Sequence, residues 1–271
     1  MPAALSYPMN MKRYDWGYLA DAETSLNGRR LVCPRGKVLG GSSSINGMIY
    51  VRGNAGDYDH WQEAGARGWG YSDVLPYFRR MENAHGGAAG WRGTDGPLHV
   101  TRGPRDNPLH DAFVTAATEA GYTAVDDYNG YRQEGFGAAD MTVWRGRRWS
   151  SANAYLRPAL RRGNVKLVTG ALVEKILIDK KTATGVVYRK GGKQHEVTAR
   201  AETVLAAGAI NSPQIMQRSG VGPGAVLQNA GVDVVLDRAG VGANLQDHLE
   251  VYFQIACVQP ITLYKHLNMA S

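Results

Sequence analysis

Apolar positions along the chain fall into two textures that meet near Gly163. Before that point they recur mostly at helical spacing. Asp57-Tyr58-Asp59-His60-Trp61 opens a short helical stretch. Val74, Leu75, Tyr77, Phe78 and Met81 mark one face of a second helix, with a cap in Trp69 to Asp73 and Pro76 in its first turn. Asn107 ahead of Pro108 predicts an amphipathic helix over 108–120, which Gly121 stops. A further helix starts at Ser150 or Ser151, with Tyr155 and Leu156 inward and Pro158 marking a break or kink. Residues 1–30 lack a period and read as irregular chain, and residues 83–98, rich in Gly and small side chains, read as a loop.

After Gly163 the runs shorten to strand length. Residues 165–168, 171–178, 185–189 and 194–199 read as strands, with turns at Asp179-Lys180-Lys181 and Gly191-Gly192, so an antiparallel meander is expected. Thr203 to Ala207 reads as a small buried strand that runs into Gly208-Ala209-Ile210-Asn211-Ser212-Pro213. There Ser212 is expected to cap and Pro213 to begin a helix that Gly220 ends. A strand, a glycine turn and a helix N-terminus suit an anionic group. Val232 to Leu236 is a further expected strand, and Gly240 to His248 a polar loop.

One stretch breaks both patterns. Gly36-Lys37-Val38-Leu39-Gly40-Gly41-Ser42-Ser43-Ser44-Ile45-Asn46-Gly47-Met48-Ile49 sets paired glycines and three serines among apolar residues. Glycine lets backbone approach a ligand closely, and successive amides turned into one concavity form an anion nest. Gly-Ser runs are also linkers, although a linker has no use for Val38, Leu39, Ile45, Met48 and Ile49. From composition alone, a ligand loop and an ordinary tight loop both fit.

Composition narrows the classes further. A chain of 271 residues holds one large domain or two ordinary ones, and 44% hydrophobic with 20% charged residues is globular rather than disordered. No apolar run is long enough to span a bilayer, and Met1 to Leu5 lack the regions of a secretory signal. Cys33 and Cys257 form neither a metal spacing nor a redox pair, so a reducing compartment is expected. The net charge of +7 admits a nucleic-acid binder. Its arginines cluster only at Arg145, Arg147, Arg148 and at Arg157, Arg161, Arg162, with no recognition helix, zinc module or RNA-binding strand beside them. An anionic cofactor, a solvated face or an acidic membrane surface accounts for the charge as well, and no nucleic-acid partner is expected.

Three separated motifs then agree: Gly36 to Asn46 followed by Tyr50 and Gly53; Gly208 to Met216 through Ser219-Gly220-Val221-Gly222; and Asn244-Leu245-Gln246-Asp247-His248. Together they resemble the glucose-methanol-choline (GMC) flavoprotein oxidoreductases, over essentially the whole chain. Ser42 to Gly53 is most similar to the family's choline-oxidising dehydrogenases. Supporting stretches are Gly65-Ala66-Arg67-Gly68-Trp69, Asp95-Gly96-Pro97-Leu98 and Gln133-Glu134-Gly135-Phe136-Gly137.

The resemblance implies an α/β (α+β) fold: an incomplete Rossmann-like FAD-binding domain with an antiparallel meander, interleaved with part of a substrate domain. It implies a flavin-contacting region over 1–48, a mainly helical substrate-domain or lid segment over 49–163, FAD-binding domain again over 164–250, and the start of a second substrate segment over 251–271. It implies bound FAD and oxidation of a small alcohol such as choline, with hydride passing from the carbinol carbon to flavin N5. Val38, Gly40, Gly41, Ser42, Asn46, Gly47, Met48 and Ile49 would lie along the diphosphate and flavin ring, the backbone of Val173 against the adenine, and Gly208 at the helix tip. Members with covalently attached flavin carry a histidine where this chain has Ile45, so attachment is expected to be non-covalent. The sequence leaves oxygen and a membrane quinone chain both open as electron acceptor, and the resemblance favours the quinone chain. Expected placement is cytoplasmic or peripheral on the inner membrane of a bacterium, or mitochondrial, and not secreted. The oligomeric state stays open.

Two departures qualify the match. The family's Gly-x-Gly-x-x-Gly turn is missing, since Gly135-Phe136-Gly137 and Gly240-Val241-Gly242 both fail at the final glycine. The C-terminal segment that carries the family's catalytic histidine also has no counterpart. The chain is therefore expected to be an internal piece, inactive alone and prone to associate through unpaired strands. No catalytic residue is assigned. His248, beside Asp247, is the nearest candidate base, although the resemblance makes its loop structural. His60, His85, His99, His110, His195 and His266 read as surface or packing residues, and Ser212 lacks the glycines of a nucleophile elbow. Two other function classes remain beside the flavoenzyme segment: a non-catalytic remnant or binding module, and a basic nucleic-acid binder.

Overall fold

The computed structural model describes residues 11–248 and 250–263, so the readings at Met1 to Leu5 and at His266 lie outside the described residues. The chain divides into two compact units, one of Met1–Val165 with Ala256–Ser271 and the other of Lys166–Ile255.

The first unit begins with an antiparallel ribbon in which β1 (Tyr18–Leu19) pairs β2 (Val32–Cys33). Backbone bonds Trp16 N–H to Arg35 O (3.0 Å) and Lys37 N–H to Tyr14 O (2.7 Å) carry the ribbon onward, so the described residues 11–30 are less irregular than their lack of periodicity suggested. A 3-10 turn, Gly41–Ser44, follows. Helices α1 (Ala55–Glu63) and α2 (Tyr71–Met81) come next. The cap of α2 differs from expectation: its first amides are met by α1 side chains, Asp59 Oδ1 accepting from Tyr71 N–H at 2.8 Å and Gln62 Oε1 from Gly70 N–H at 3.2 Å. Tyr77, expected inward, is exposed.

The stretch expected as loop over 83–98 is loop over 86–97, with a strand at either end. β3 (Glu82–His85) runs parallel to β4 (Leu98–Arg102), and β5 (Asp140–Met141) pairs β4 antiparallel. Buried Glu82 organises the turn between β3 and β4, accepting Gly93 N–H at 2.8 Å, a tertiary cause that local composition does not register. Helix α3 (Pro108–Glu119) matches expectation, with Asn107 Oδ1 accepting Leu109 N–H at 2.9 Å. A hairpin of β6 (Val143–Trp144) and β7 (Arg147–Arg148) leads to a π-type turn, Ala152–Leu156, and a short α4 (Arg157–Arg161). Ala152 and Ala154 are the buried residues there, while Tyr155 is exposed. The small side chains let this turn pack close, which larger residues facing inward would prevent.

The second unit is built on the expected meander: β8 (Leu172–Asp179), β9 (Thr182–Lys190) and β10 (Lys193–Thr198), all antiparallel. Its first turn places Lys180 and Lys181 at φ 46° and 68°, left-handed values that match the strand twist of a two-residue hairpin. Residues 165–168 and 203–207, expected as strands, pair with no strand among the described residues, and Val204 is 77% exposed. An apolar run becomes a strand only where a neighbour accepts its backbone bonds.

Helix α5 (Gly208–Arg218) starts five residues before the expected Pro213, with Gly208 at φ 89°. Ser212 Oγ instead reaches back inside the helix to accept Ala207 N–H at 3.0 Å. Gly220, at φ 85°, ends α5 as expected. β11 (Val221–Gly222), α6 (Gly224–Asn229) and β12 (Leu236–Asp237) complete a small parallel pair, so only the end of the strand expected over 232–236 is paired. The whole is mixed helix and strand in small sheets, as the α/β (α+β) expectation has it.

Candidate functional site

Eight of the ten residues singled out by sequence lie on one short loop of the first unit, Val38 to Ile49. Its ends are drawn together by a close backbone crossing. A Cβ on Gly36 would stand 2.3 Å from the carbonyl oxygen of Gly41, so no other residue fits there. Gly40 and Gly41 both take positive φ, 91° and 55°, which turns the chain into the 3-10 helix.

The three serines are mostly spent on the loop itself. Gly36 N–H donates to Ser42 Oγ (3.1 Å), Ser43 O–H to Gly40 O (2.6 Å) and Ser44 O–H to Leu39 O (2.8 Å). They staple the turn rather than present three hydroxyls to a ligand. Asn46 Oδ1 accepts from Met48 N–H (3.1 Å) and from Arg148 Nη1 (2.8 Å). Arg148 Nη1 also reaches Ser43 O at 3.2 Å, and burial pushes this guanidinium below its ordinary range. Ser151 N–H adds a bond to Ser43 Oγ at 2.9 Å.

Past Asn46, with Met48 at a left-handed φ of 66°, the chain joins the β5 edge through Ile49. Thr142 N–H donates to Met48 O and Tyr50 N–H to Asp140 O, both at 2.8 Å. Side chains therefore alternate: Met48 is 1% exposed, Ile49 52%, Tyr50 8% and Val51 56%. Met48 can offer a ligand only its backbone, whereas Leu39, Ile49 and Val51 form an open apolar rim. A Cβ on Gly41 or on Gly47 would meet no atom within 4 Å, so the rim has open space beside both glycines.

Behind the rim lies a buried charge network that the sequence did not disclose. Glu82, wholly buried, takes Arg52 Nη2 at 2.5 Å and Arg92 Nε at 2.9 Å on one carboxylate oxygen. Arg92 Nη1 also holds Asp127 and Asp140, each at 2.8 Å. Burial opposes charge on Arg92, but the bond to Glu82 and the carboxylates of Glu82, Asp140 and Asp127 together hold its proton above the ordinary arginine range. Asn129 Nδ2 donates to Tyr50 O and to Asp140 Oδ2, both at 3.0 Å, and Asn129 Oδ1 accepts Arg52 N–H at 2.8 Å. Burial, with the Glu82 carboxylate nearby, pushes the Tyr50 hydroxyl far above its usual range. The loop's exit strand is thus fixed by paired charges on both sides.

The remaining two singled-out residues lie in the second unit. Val173 sits on β8 opposite Tyr188, and Gly208 opens α5, whose first-turn amides have no intrahelical acceptors. Ser219, at the far end of α5, donates to Ile215 O and accepts Ile176 N–H at 2.8 Å, which anchors the helix on β8. His248 is exposed, and its backbone N–H meets Asp247 Oδ1. His85 and His99 hydrogen-bond at 3.0 Å and stack on Trp144, where burial, His85 and Arg145 keep His99 below its ordinary range. No group of three metal-ligating side chains occurs, and no helix is long and apolar enough to cross a membrane, among the described residues.

Comparison with known proteins agrees with this architecture. A family model described as GMC oxidoreductase matches residues 19–250. Curated relatives named oxygen-dependent choline dehydrogenase include one from Brucella anthropi, 61% identical over 100% of this chain and 49% of its own. Another from Sinorhizobium medicae is 57% identical over 98% of this chain and 48% of its own. The chain spans about half the length of the curated relatives it matches. Among solved structures, pyridoxine 4-oxidase from Mesorbium loti superimposes with TM-score 0.81 at 33% identity, covering 87% of this chain and 47% of that one. An FAD-dependent oxidoreductase from Chaetomium thermophilum gives TM-score 0.74 at 31% identity over 83% and 41%.

Proposed function

Because the chain belongs to the GMC oxidoreductase family, we propose that it supplies the flavin-holding part of an FAD-dependent oxidoreductase that acts on the CH–OH group of choline. The observation that carries this reading is the stapled loop 36–51, whose Gly41 and Gly47 open onto free space and whose apolar rim suits a flat aromatic ring. FAD, when bound, supplies the hydride acceptor that converts choline to betaine aldehyde.

The chain's own residues bind and orient. Val38, Gly40, Gly41, Asn46 and Gly47, with the backbone of Met48 and the side chain of Ile49, would lie along the diphosphate and ring. Ser42 supports them chiefly through its bond to Gly36. In the second unit the Val173 backbone would meet the adenine, and the backbone amide of Gly208 at the start of α5 would meet a phosphate oxygen. Ile45 is purely hydrocarbon where covalently flavinylated members carry a histidine, which supports non-covalent attachment. The domain assignment made from sequence, 1–48, 49–163, 164–250 and 251–271, is proposed with this reading.

No residue of the described chain is assigned the role of base; exposed His248 has no substrate-facing geometry to recommend it. For the whole protein we propose electron delivery to a membrane quinone chain with peripheral attachment to the inner membrane. The relatives' printed name, oxygen-dependent, favours oxygen as a second reading. An oxygen electrode run beside a soluble quinone analogue distinguishes them.

The test of the main reading is FAD uptake. The chain mixed with FAD and dialysed should keep a flavin absorption band, and acid precipitation should release all of it to the supernatant. A chain that stays colourless, or flavin that stays with the pellet, overturns the reading of the site or of its attachment respectively.

A further inference from the structure

We propose that Arg148 is a positioning residue that turns the Asn46 carboxamide so that its Nδ2 hydrogens, and not its oxygen, face the cofactor. The inference rests on the flavin reading above and goes beyond it by assigning a polarity to the rim and a residue that sets it.

The geometry leaves the amide no choice. Two donors converge on one end of the carboxamide, the Met48 backbone N–H at 3.1 Å and Arg148 Nη1 at 2.8 Å. Neither group can accept a hydrogen bond. Rotating the amide by half a turn would face NH2 against both, forfeiting two bonds and setting donor against donor. The oxygen is therefore inward, and both Nδ2 hydrogens belong to the exposed side of Asn46. A rim built this way offers a donor to an acceptor edge of a bound flavin, a ring nitrogen or a carbonyl.

Arg148 is itself held in place. It is half-buried at the end of β7, and the same nitrogen reaches Ser43 O at 3.2 Å. Three residues on, Ser151 N–H binds Ser43 Oγ, which in turn bonds Gly40 O. The hairpin end thus grips the loop at Ser43 and at Asn46 from one side. A cation kept half-buried against a neutral amide, despite a burial that disfavours its charge, is spent on orientation rather than on ion pairing.

Asn46→Asp separates orientation from folding. A carboxylate keeps both inward bonds, so the loop stays closed, but it has no hydrogen to donate outward. In FAD titrations of the full chain followed by flavin fluorescence, Asn46→Asp should weaken binding at least tenfold, as expected for a lost donor left facing an unpaired acceptor. Arg148→Met should weaken it by a similar factor, Arg148→Lys should restore part of the loss, and the visible band of bound flavin should shift in Asn46→Asp and Arg148→Met alike. The double variant should be no weaker than the poorer single one, because the two changes remove the same contact.

A second readout needs no flavin. In the free chain the Asn46 side-chain amide should show slow rotation by NMR, and Arg148→Met should release it while leaving the melting curve of the chain within a few degrees. Unchanged affinity and spectrum in Asn46→Asp, with normal binding by the parent, would overturn the proposal and leave the flavin reading intact. A parent chain that takes up no flavin would instead sink that reading and this inference with it.

Discussion

The two units of the chain reach stability by different routes. In the first, Asp15, Arg52, Glu82, Arg92, Asn129 and Asp140 are buried beside apolar residues, a mixed interior. In the second the interior is small, with Val187, Ile215 and Leu227 apolar and Ser219 polar, and the meander relies on backbone bonds with one strand, β10, exposed throughout. Ion pairs follow the same division: Arg92 and Glu82 meet in the dark interior, Arg189 and Glu174 at the surface. The contrast teaches that a glycine-rich loop can be fixed by paired charges behind it, where exchanging one partner is costly, while a sheet can be held by register alone.

The largest expected effect is on the first unit. Glu82→Gln leaves Arg52 and Arg92 without their shared carboxylate, and losing one partner of a buried pair costs about 3–5 kcal/mol. Urea denaturation followed by circular dichroism should show that loss; a loss under about 1 kcal/mol would mean the network is not what holds the unit. Next comes Leu227→Ala, which empties one of the few buried positions of the second unit. It should cost about 2–5 kcal/mol, at the low end if the thin core collapses around the gap. The smallest effect is Glu174→Gln at the exposed pair with Arg189, 2.8 Å apart, expected below about 1 kcal/mol and fading with added salt. Were it to rival Glu82→Gln, the division between the units would fail.

Sequence reading reached the features whose causes are local. The Asn107 cap, the Gly220 stop and the meander with its turns at 179–181 and 191–192 were all legible because each depends on residues a few positions apart. Thr203 to Ala207 was misread because a strand needs a neighbour, and none of the described residues supplies one. The start of α5 was misread for a different reason. Ser212-Pro213 carries the signals of a beginning, yet the helix already runs from Gly208, and Ser212 serves it by reaching back to Ala207.

At the site, the loop itself was legible and its support was not. Arg148 sits 102 positions from Asn46 and was noticed only as part of a basic cluster. Glu82, Asp127 and Asp140 drew no reading from sequence, since nothing along the chain marks a charge for burial. The serines were legible as polar groups near a ligand, but their engagement with Gly36, Gly40 and Leu39 depends on a crossing visible only in three dimensions.

That crossing has a practical corollary for anyone reshaping specificity. With Gly36 pressed on the Gly41 carbonyl, the loop is a noose of fixed circumference that tolerates neither a bulkier residue at the knot nor an inserted one along its length. Diversity should be introduced instead at the outward positions Leu39, Ile49 and Val51, where a library can vary bulk without loosening the noose.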